Sequence, residues 1–342
     1  MIRAEIADMP EYVPGKDYPG AIKLSSNEVT TAPVPEVKEA VMEVLDNPNR
    51  YPDMGVDKLR AKIAEFLGLE SNQISVGCGS SAICQELVQI TCHDGDEVIF
   101  PWRSFEAYPI FAEVHGAQPV MVPLTADNGL DLDAMIAAIN DRTRLIFVCN
   151  PNNPSGSTIT TSQFAEFMDK VPEDVVVALD EAYFEYNRAA DTPVATEEIA
   201  RHPNVVGLRT FSKAWGLAGI RVGYAFGAPE IISALNKVCL PFSVNAVAQA
   251  AALTCLDYAD RVMASTEETV IQRDRVADAL GVQRSQANYV WLPCDDPATA
   301  PELAERLAEH GVLVRAFPEG LRITVTNRAE TDLFLAAWEK IT

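Results

Sequence analysis

Short, continuous apolar runs alternate along this chain with stretches whose apolar residues recur every three or four positions. Val175-Val-Val-Ala-Leu-Asp180 and Leu145-Ile-Phe-Val-Cys149 are runs of the first kind, and each stops at a polar or turn-forming residue. Such runs read as strands buried on both faces, as in a parallel sheet. Similar runs at 74–77, 97–101 and 205–210 predict further strands. Helical spacing predicts a helix over 35–45, with Pro35 near its start, and another over 56–68, closed by Gly68. It predicts others over 108–115, 131–139 and 161–170, with a strand at 118–122. The 161–170 helix joins the 145–149 and 175–180 runs into a βαβ unit. Beyond Pro229 the pattern becomes helical over 230–237, 247–258 and 262–280. Strands at 286–292, 312–315 and 321–326 follow, around a helix at 300–310. Residues 21–27 read as a short strand. Residues 1–20 carry Pro10, Pro14 and Pro19 without any period and read as an extended arm. The expected architecture is α/β, with a large domain over 46–235 built on a mainly parallel sheet. A smaller α+β domain is expected from 21–45 and 236–342.

Length and charge narrow the class. A chain of 342 residues with 48% hydrophobic content is long enough for one large core and a smaller second one. No apolar run reaches membrane-spanning length, and the first residues lack the basic-then-apolar plan of a signal peptide, so a cytoplasmic protein is expected. A net charge of −22 argues against nucleic acid or an anionic membrane as partner. The seven cysteines are scattered, with no Cys-x-x-Cys pair and only four histidines in the chain, so reduced thiols and no metal site are expected.

Candidate chemistry concentrates in Thr210-Phe-Ser-Lys-Ala-Trp-Gly-Leu-Ala-Gly-Ile-Arg-Val-Gly-Tyr224. A lysine among apolar residues and near a second cation has its charged form disfavoured, which makes Lys213 a nucleophile suited to a Schiff base with a carbonyl. The hydroxyls of Thr210 and Ser212 and the guanidinium of Arg221 suit a phosphate. A lysine nucleophile beside a phosphate cup points to pyridoxal phosphate; a solvated lysine at a helix start is the plainer alternative. Asp180 ends its strand where open α/β sheets bind ligands, and an aspartate there can keep a pyridinium nitrogen protonated. The turn Gly77-Cys-Gly79-Ser80-Ser81-Ala82 opens a helix whose free amides suit phosphate. It also matches a dinucleotide fingerprint, so an NAD-dependent Rossmann dehydrogenase is the remote rival.

Asn150-Pro-Asn-Asn153-Pro-Ser-Gly156, Asp180-Glu-Ala-Tyr183-Phe-Glu-Tyr186 and the Lys213 stretch together resemble the fold-type I aminotransferases. The resemblance is closest to the branch of histidinol-phosphate and aromatic amino acid aminotransferases, and it spans nearly the whole chain. It implies a seven-stranded-type sheet and pyridoxal phosphate bound by Lys213. Asp180 would lie on the ring nitrogen, with Asn153 and Tyr183 on the phenolic oxygen. Ser80, Ser81, Thr210, Ser212 and Arg221 would hold the phosphate. Arg50-Tyr51-Pro-Asp matches a family segment whose tyrosine reaches the cofactor phosphate of the other subunit, which implies a homodimer. Phe105 aligns with a ring stacked on the cofactor and Tyr108 with a second aromatic near the substrate, although both also read as core aromatics. Gly320-Leu-Arg322-Ile-Thr-Val matches the segment whose arginine clamps the substrate carboxylate. Arg315 and Asn27 are further candidate substrate contacts, Arg315 reading equally as an edge residue. The implied reaction moves an amino group between an aromatic amino acid and a 2-oxo acid such as 2-oxoglutarate. Histidinol phosphate is the alternative substrate, and a lyase or a cofactor-binding regulator is the alternative use of the same fold.

Overall fold

The computed structural model describes residue 2, residues 4–7, residue 18 and residues 20–342. The strands in chain order are β1 (Ile22–Leu24), β2 (Ile74–Gly77), β3 (Glu97–Trp102), β4 (Gln118–Pro123), β5 (Thr143–Cys149) and β6 (Val176–Asp180). They continue with β7 (Val205–Thr210), β8 (Gly223–Gly227), β9 (Tyr289–Pro293), β10 (Val312–Phe317) and β11 (Gly320–Thr324). Seven of them form one sheet in the order β2-β8-β7-β6-β5-β3-β4. All neighbours in it run parallel except β8, which is antiparallel to both β2 and β7. The expected α/β architecture with a mainly parallel sheet is what the chain adopts.

The sheet is buried on both faces, which is why its strands read as unbroken apolar runs. One face packs Ile99, Ile146, Val148, Val177 and Leu179. The other packs Phe100, Phe147, Ala178 and Leu208 beneath the helix Ser80–Thr91. Register places the strand ends side by side: Cys149 pairs with Asp180, and Asp180 with Leu208. The chain therefore delivers Asn150, Asp180 and Thr210 to the same rim. The return from β7 to β8 is tight. Its base is closed where Thr210 pairs with Gly223 and where the Phe211 amide donates to the Val222 carbonyl at 3.1 Å. Lys213 and Arg221 both lie on this closed loop.

The second sheet has the order β1-β10-β11-β9, with β1 parallel to β10 and the other pairs antiparallel. Its core of Val290, Leu307, Leu321, Ile323 and Phe334 lies against the helices Thr299–Glu309 and Arg328–Ile341. The sequence reading assigns nothing to 328–341. Asn327 caps that helix by accepting from the Glu330 amide.

Two expected boundaries shift. The strand anticipated over 21–27 stops at Leu24, because Asn27 turns into the left-handed region at φ 55 and its polar groups bind elsewhere. The domain division at 45/46 and 235/236 also departs from the packing. Val37 of the helix Pro35–Leu45 and Ala248, Ala251 and Cys255 of the helix Ala246–Asp257 share the core of the large sheet. The helix Pro229–Val238, which that division would cut, packs Ile232 and Leu235 against the sheet's other face. The arm expected over 1–20 lies largely outside the described residues. Among the described residues no helix is long and apolar enough to cross a membrane.

Candidate active site

Asp180 and Lys213 meet at the carboxyl rim of the large sheet. Asp180 is buried, and its Oδ1 accepts from the Ala182 amide at 3.1 Å. Its Oδ2 accepts from the Tyr108 hydroxyl at 2.6 Å. Burial pushes the Asp180 carboxyl up, while these two donors and the Lys213 cation pull it down; the net direction is upward. Beside it, Glu181 forms a buried ion pair with Arg209 of β7 at 2.8 Å and accepts from the Ala195 amide. That pair ties the turn after β6 to its neighbouring strand.

Lys213 is partly open to the cleft yet closely surrounded. Its Nζ donates to the Ser26 carbonyl at 3.3 Å and lies 5.7 Å from the centre of the Tyr183 ring. Burial, and then the Arg322 cation, bring its pKa down to about 8. Near pH 8 half of these amines are therefore uncharged and nucleophilic, as the sequence argument requires.

Arg322 on β11 is buried. Its Nη1 donates to Asn153 Oδ1 at 2.6 Å and its Nη2 to the Ser25 carbonyl at 2.7 Å. Its Nε is buried with no partner among the described residues. An orphaned donor on a fixed guanidinium is a site for an anionic acceptor, since leaving it unsatisfied is costly. Tyr183 is also buried, and its hydroxyl accepts from Asn27 Nδ2 at 2.8 Å, which leaves the phenolic hydrogen to donate. Burial raises the Tyr183 pKa to about 12, so it stays a donor at neutral pH.

The phosphate candidates cluster around the β2 turn. Arg221 Nη2 reaches Ser81 Oγ and its Nη1 reaches Ser212 Oγ, both at 3.4 Å. Gly79 at φ +80 lies under this guanidinium: a Cβ there would fall 2.4 Å from Arg221 Nη2. Gly223 lets the helix start approach equally closely, since its Cβ would meet the Ser80 amide at 2.3 Å. Thr210 Oγ1 accepts from the Ser212 amide and holds that turn. The cradle of hydroxyls, guanidinium and helix amides fits a phosphate group, and Lys213 on the same loop fits an aldehyde. The dinucleotide rival fails on topology. Its fingerprint lies on β2, an edge strand antiparallel to β8, whereas that motif needs a parallel strand at a switch point.

Two candidates take other places than expected. Tyr108 is fully buried, stacked on Phe147 at 4.3 Å and edge-on to Phe105 at 5.4 Å, with its hydroxyl on Asp180. It supports the carboxylate from below and offers no surface to a substrate. Asn27 is committed as well, to Tyr183 through Nδ2 and to the Thr324 hydroxyl through Oδ1. These bonds orient Tyr183. Phe105 remains partly open above Tyr108. Tyr51 joins none of these groups in its own chain: it is 81% exposed and stacks on Phe242 at 4.6 Å. Arg315 Nη2 donates to both oxygens of Glu106, at 3.3 and 3.2 Å. The reading of the sequence missed the Ser25 and Ser26 carbonyls, because main-chain acceptors leave no trace in residue identity. It also missed Tyr289, whose hydroxyl fixes the Asn152 carbonyl at 2.6 Å.

Comparison with known proteins places the chain among aminotransferases. The profile of the family described as Aminotransferase class I and II matches residues 19–337. The aromatic amino acid aminotransferase of Corynebacterium glutamicum (strain R) is 65% identical over 341 residues, covering 100% of this chain and 99% of that protein. The protein of the same name from Corynebacterium efficiens is 62% identical over 342 residues, covering 100% and 99%. Among solved structures, histidinol-phosphate aminotransferase from Sinorhizobium meliloti in complex with pyridoxal-5'-phosphate is 27% identical with a TM-score of 0.91, covering 99% of this chain and 97% of that one. With Lys213, Asp180 and Arg322 gathered at one rim of such a fold, the chain belongs to the class I and II aminotransferase family.

Proposed function

We propose that this aminotransferase uses pyridoxal phosphate to move the amino group of phenylalanine or tyrosine to a 2-oxo acid such as 2-oxoglutarate. The observation that carries the reading is the placement of an amine with a pKa of about 8 between Asp180 and a carboxylate-ready Arg322. The aromatic preference is supported by the rings around Arg322. The partly open Phe105 stands on the facing loop, and the buried rings of Tyr289 and Phe317 back the guanidinium carbon at 5.6 Å. Full-length relatives carrying the aromatic name support the same preference.

Pyridoxal phosphate, when bound, supplies an aldehyde that condenses with amines and a ring that accepts the electron pair left when the Cα proton departs. Lys213 in its free-base form would be the amine that holds the aldehyde, and its Nζ would be the base for the Cα proton. Asp180 keeps a proton on the ring nitrogen. Tyr183, and Asn153 beside it, donate toward the phenolic oxygen. Arg221, Ser80, Ser81 and Ser212 hold the phosphate, with Thr210 fixing their turn. Phe105 covers the ring face. Arg322 grips the α-carboxylate by its fork and sets Cα before Lys213.

We further propose a homodimer in which Tyr51 serves the partner's phosphate, acting in the cytoplasm, where the seven free cysteines stay reduced. The deciding measurement is kcat/KM for phenylalanine against histidinol phosphate, each with 2-oxoglutarate. Phenylalanine is expected to lead by tenfold or more, about 1.4 kcal/mol of preferential transition-state binding. A lead for histidinol phosphate reverses the substrate assignment.

A further inference from the structure

Three guanidinium groups surround one ring beside the carboxylate clamp. The guanidinium carbons of Arg103, Arg315 and Arg322 lie 5.5, 5.6 and 5.6 Å from the centre of Phe317. No two of them can therefore be farther apart than about twice that distance. Arg315 and Arg322 stand directly opposite each other on β10 and β11, hence on the same face of the small sheet. Arg103 comes from the other side of the cleft, on the loop that also carries Phe105.

Of these three, Arg322 alone has a buried donor with no partner among the described residues. The other two guanidiniums already hold carboxylates. Arg103 donates through Nε and Nη2 to the two oxygens of Glu319 at 3.0 and 2.8 Å. Arg315 donates to Glu106 at 3.2 and 3.3 Å. Three cations and two anions leave one net positive charge at the place where a substrate's own charge arrives. Resting on the aminotransferase reading above, we propose that Glu106 and Glu319 are specificity-determining residues. By neutralising Arg315 and Arg103 they select substrates with one carboxylate and an uncharged side chain over dicarboxylates and phosphate monoesters.

The two pairs differ in how firmly they hold. Arg103 is forked onto Glu319 and lies 4.3 Å from the Trp102 ring centre, with side chains 13% and 45% exposed. Arg315 meets Glu106 through a single nitrogen, with side chains 28% and 39% exposed. A longer contact made through one nitrogen of the more exposed guanidinium costs little to open. An acceptor such as 2-oxoglutarate therefore places its second carboxylate by displacing Glu106 from Arg315, and leaves Arg103 with Glu319. The site can then take an aromatic side chain in one half of its cycle and a second carboxylate in the other, without a standing charge that favours the latter.

The test is a titration of the purified holoenzyme with glutarate, 3-phenylpropionate and histidinol phosphate, dissociation constants being read from the absorbance of the bound cofactor. In Glu106→Gln the preference for glutarate or histidinol phosphate over 3-phenylpropionate is expected to rise at least fivefold. Glu106→Asp, which keeps the charge, is expected to stay within twofold of the parent. Adding Arg315→Gln to Glu106→Gln is expected to cancel the gain, which a loosened fold would not do. Glu319→Gln is expected to move the ratio in the same direction through Arg103. Each acid stands on its own Gln variant: ratios within twofold of the parent for both doubly charged ligands overturn its role. A holoenzyme that binds these ligands but fails to transaminate phenylalanine overturns the functional reading instead, and leaves the binding ratios to decide this one.

Discussion

Tyr108 and Asp180 show how much one buried hydroxyl can govern. The 2.6 Å bond from Tyr108 and the bond from the Ala182 amide favour the charged carboxylate against its burial. Tyr108→Phe removes a donor from a buried anion, and burial then pushes the Asp180 pKa further up, so that Asp180 keeps the proton it should leave on the ring nitrogen. A hydrogen bond to a charged group contributes about 1.5–3 kcal/mol, so kcat with phenylalanine is expected to fall roughly 10- to 100-fold. KM should change little, because Arg322 is untouched. The pH dependence of the bound cofactor's absorbance should shift as well, and an unchanged kcat with an unchanged spectrum would sink this role. Lys213 and Arg322 are legible in the sequence because each sits in a contiguous motif whose neighbours explain it. Tyr108 is legible only as an aromatic, since its partner lies 72 residues away. The Arg315–Glu106 contact spans 209 residues and has no local sign at all.

Among the elements, the helix Ser80–Thr91 carries a conflict. Its first turn is proposed to serve the phosphate, while Glu86 is buried, its Oε2 has no partner among the described residues, and its carboxyl is raised by burial to about 7. The folded state thus holds this proton more tightly than the unfolded chain, whose carboxyl titrates near 4.5. The native state is favoured most below the unfolded value and loses stability as pH rises from about 4.5 through 7. Glu86→Gln removes that loss. Melting temperatures taken from pH 5 to pH 8 should fall in the parent and fall less in the variant, and parallel curves would show that Glu86 is not the cause. Strands and helices with strong periodicity were readable, and the helix 35–45 matches its expected bounds. β8 was not, because Gly-Tyr-Ala-Phe-Gly reads as the tail of the lysine motif. Its direction is set by pairing with β2 and β7 rather than by its own residues. The packing partners of the helices near the expected domain division were not readable either. Helical spacing reveals an apolar face but not which sheet it will meet.

At the scale of the whole molecule, the exposed Tyr51 is the feature that a single chain leaves without a role. With Phe242, Leu240 and Met54 it forms an exposed apolar surface beside the helix Asp57–Leu67, of the kind that marks an interface. If Tyr51 completes a neighbour's site, mixing inactive Lys213→Ala with an impaired Tyr51→Ala should restore activity through hybrid sites. Two variants that stay as inactive mixed as apart would refute the shared site. One consequence follows from the closed return between β7 and β8. Lys213 and Arg221 sit on a loop whose base is fastened by Thr210 and Gly223, so sliding of the small sheet against the large one leaves their separation unchanged. A transaminase releases its first product before its second substrate arrives, and through that interval the amino group waits on a cofactor with no covalent tether. On the proposed reading, the short loop of Lys213 and Arg221, together with the Ser80–Ser81 turn, would help to keep the cofactor in place through that interval, whatever the domains around it are doing.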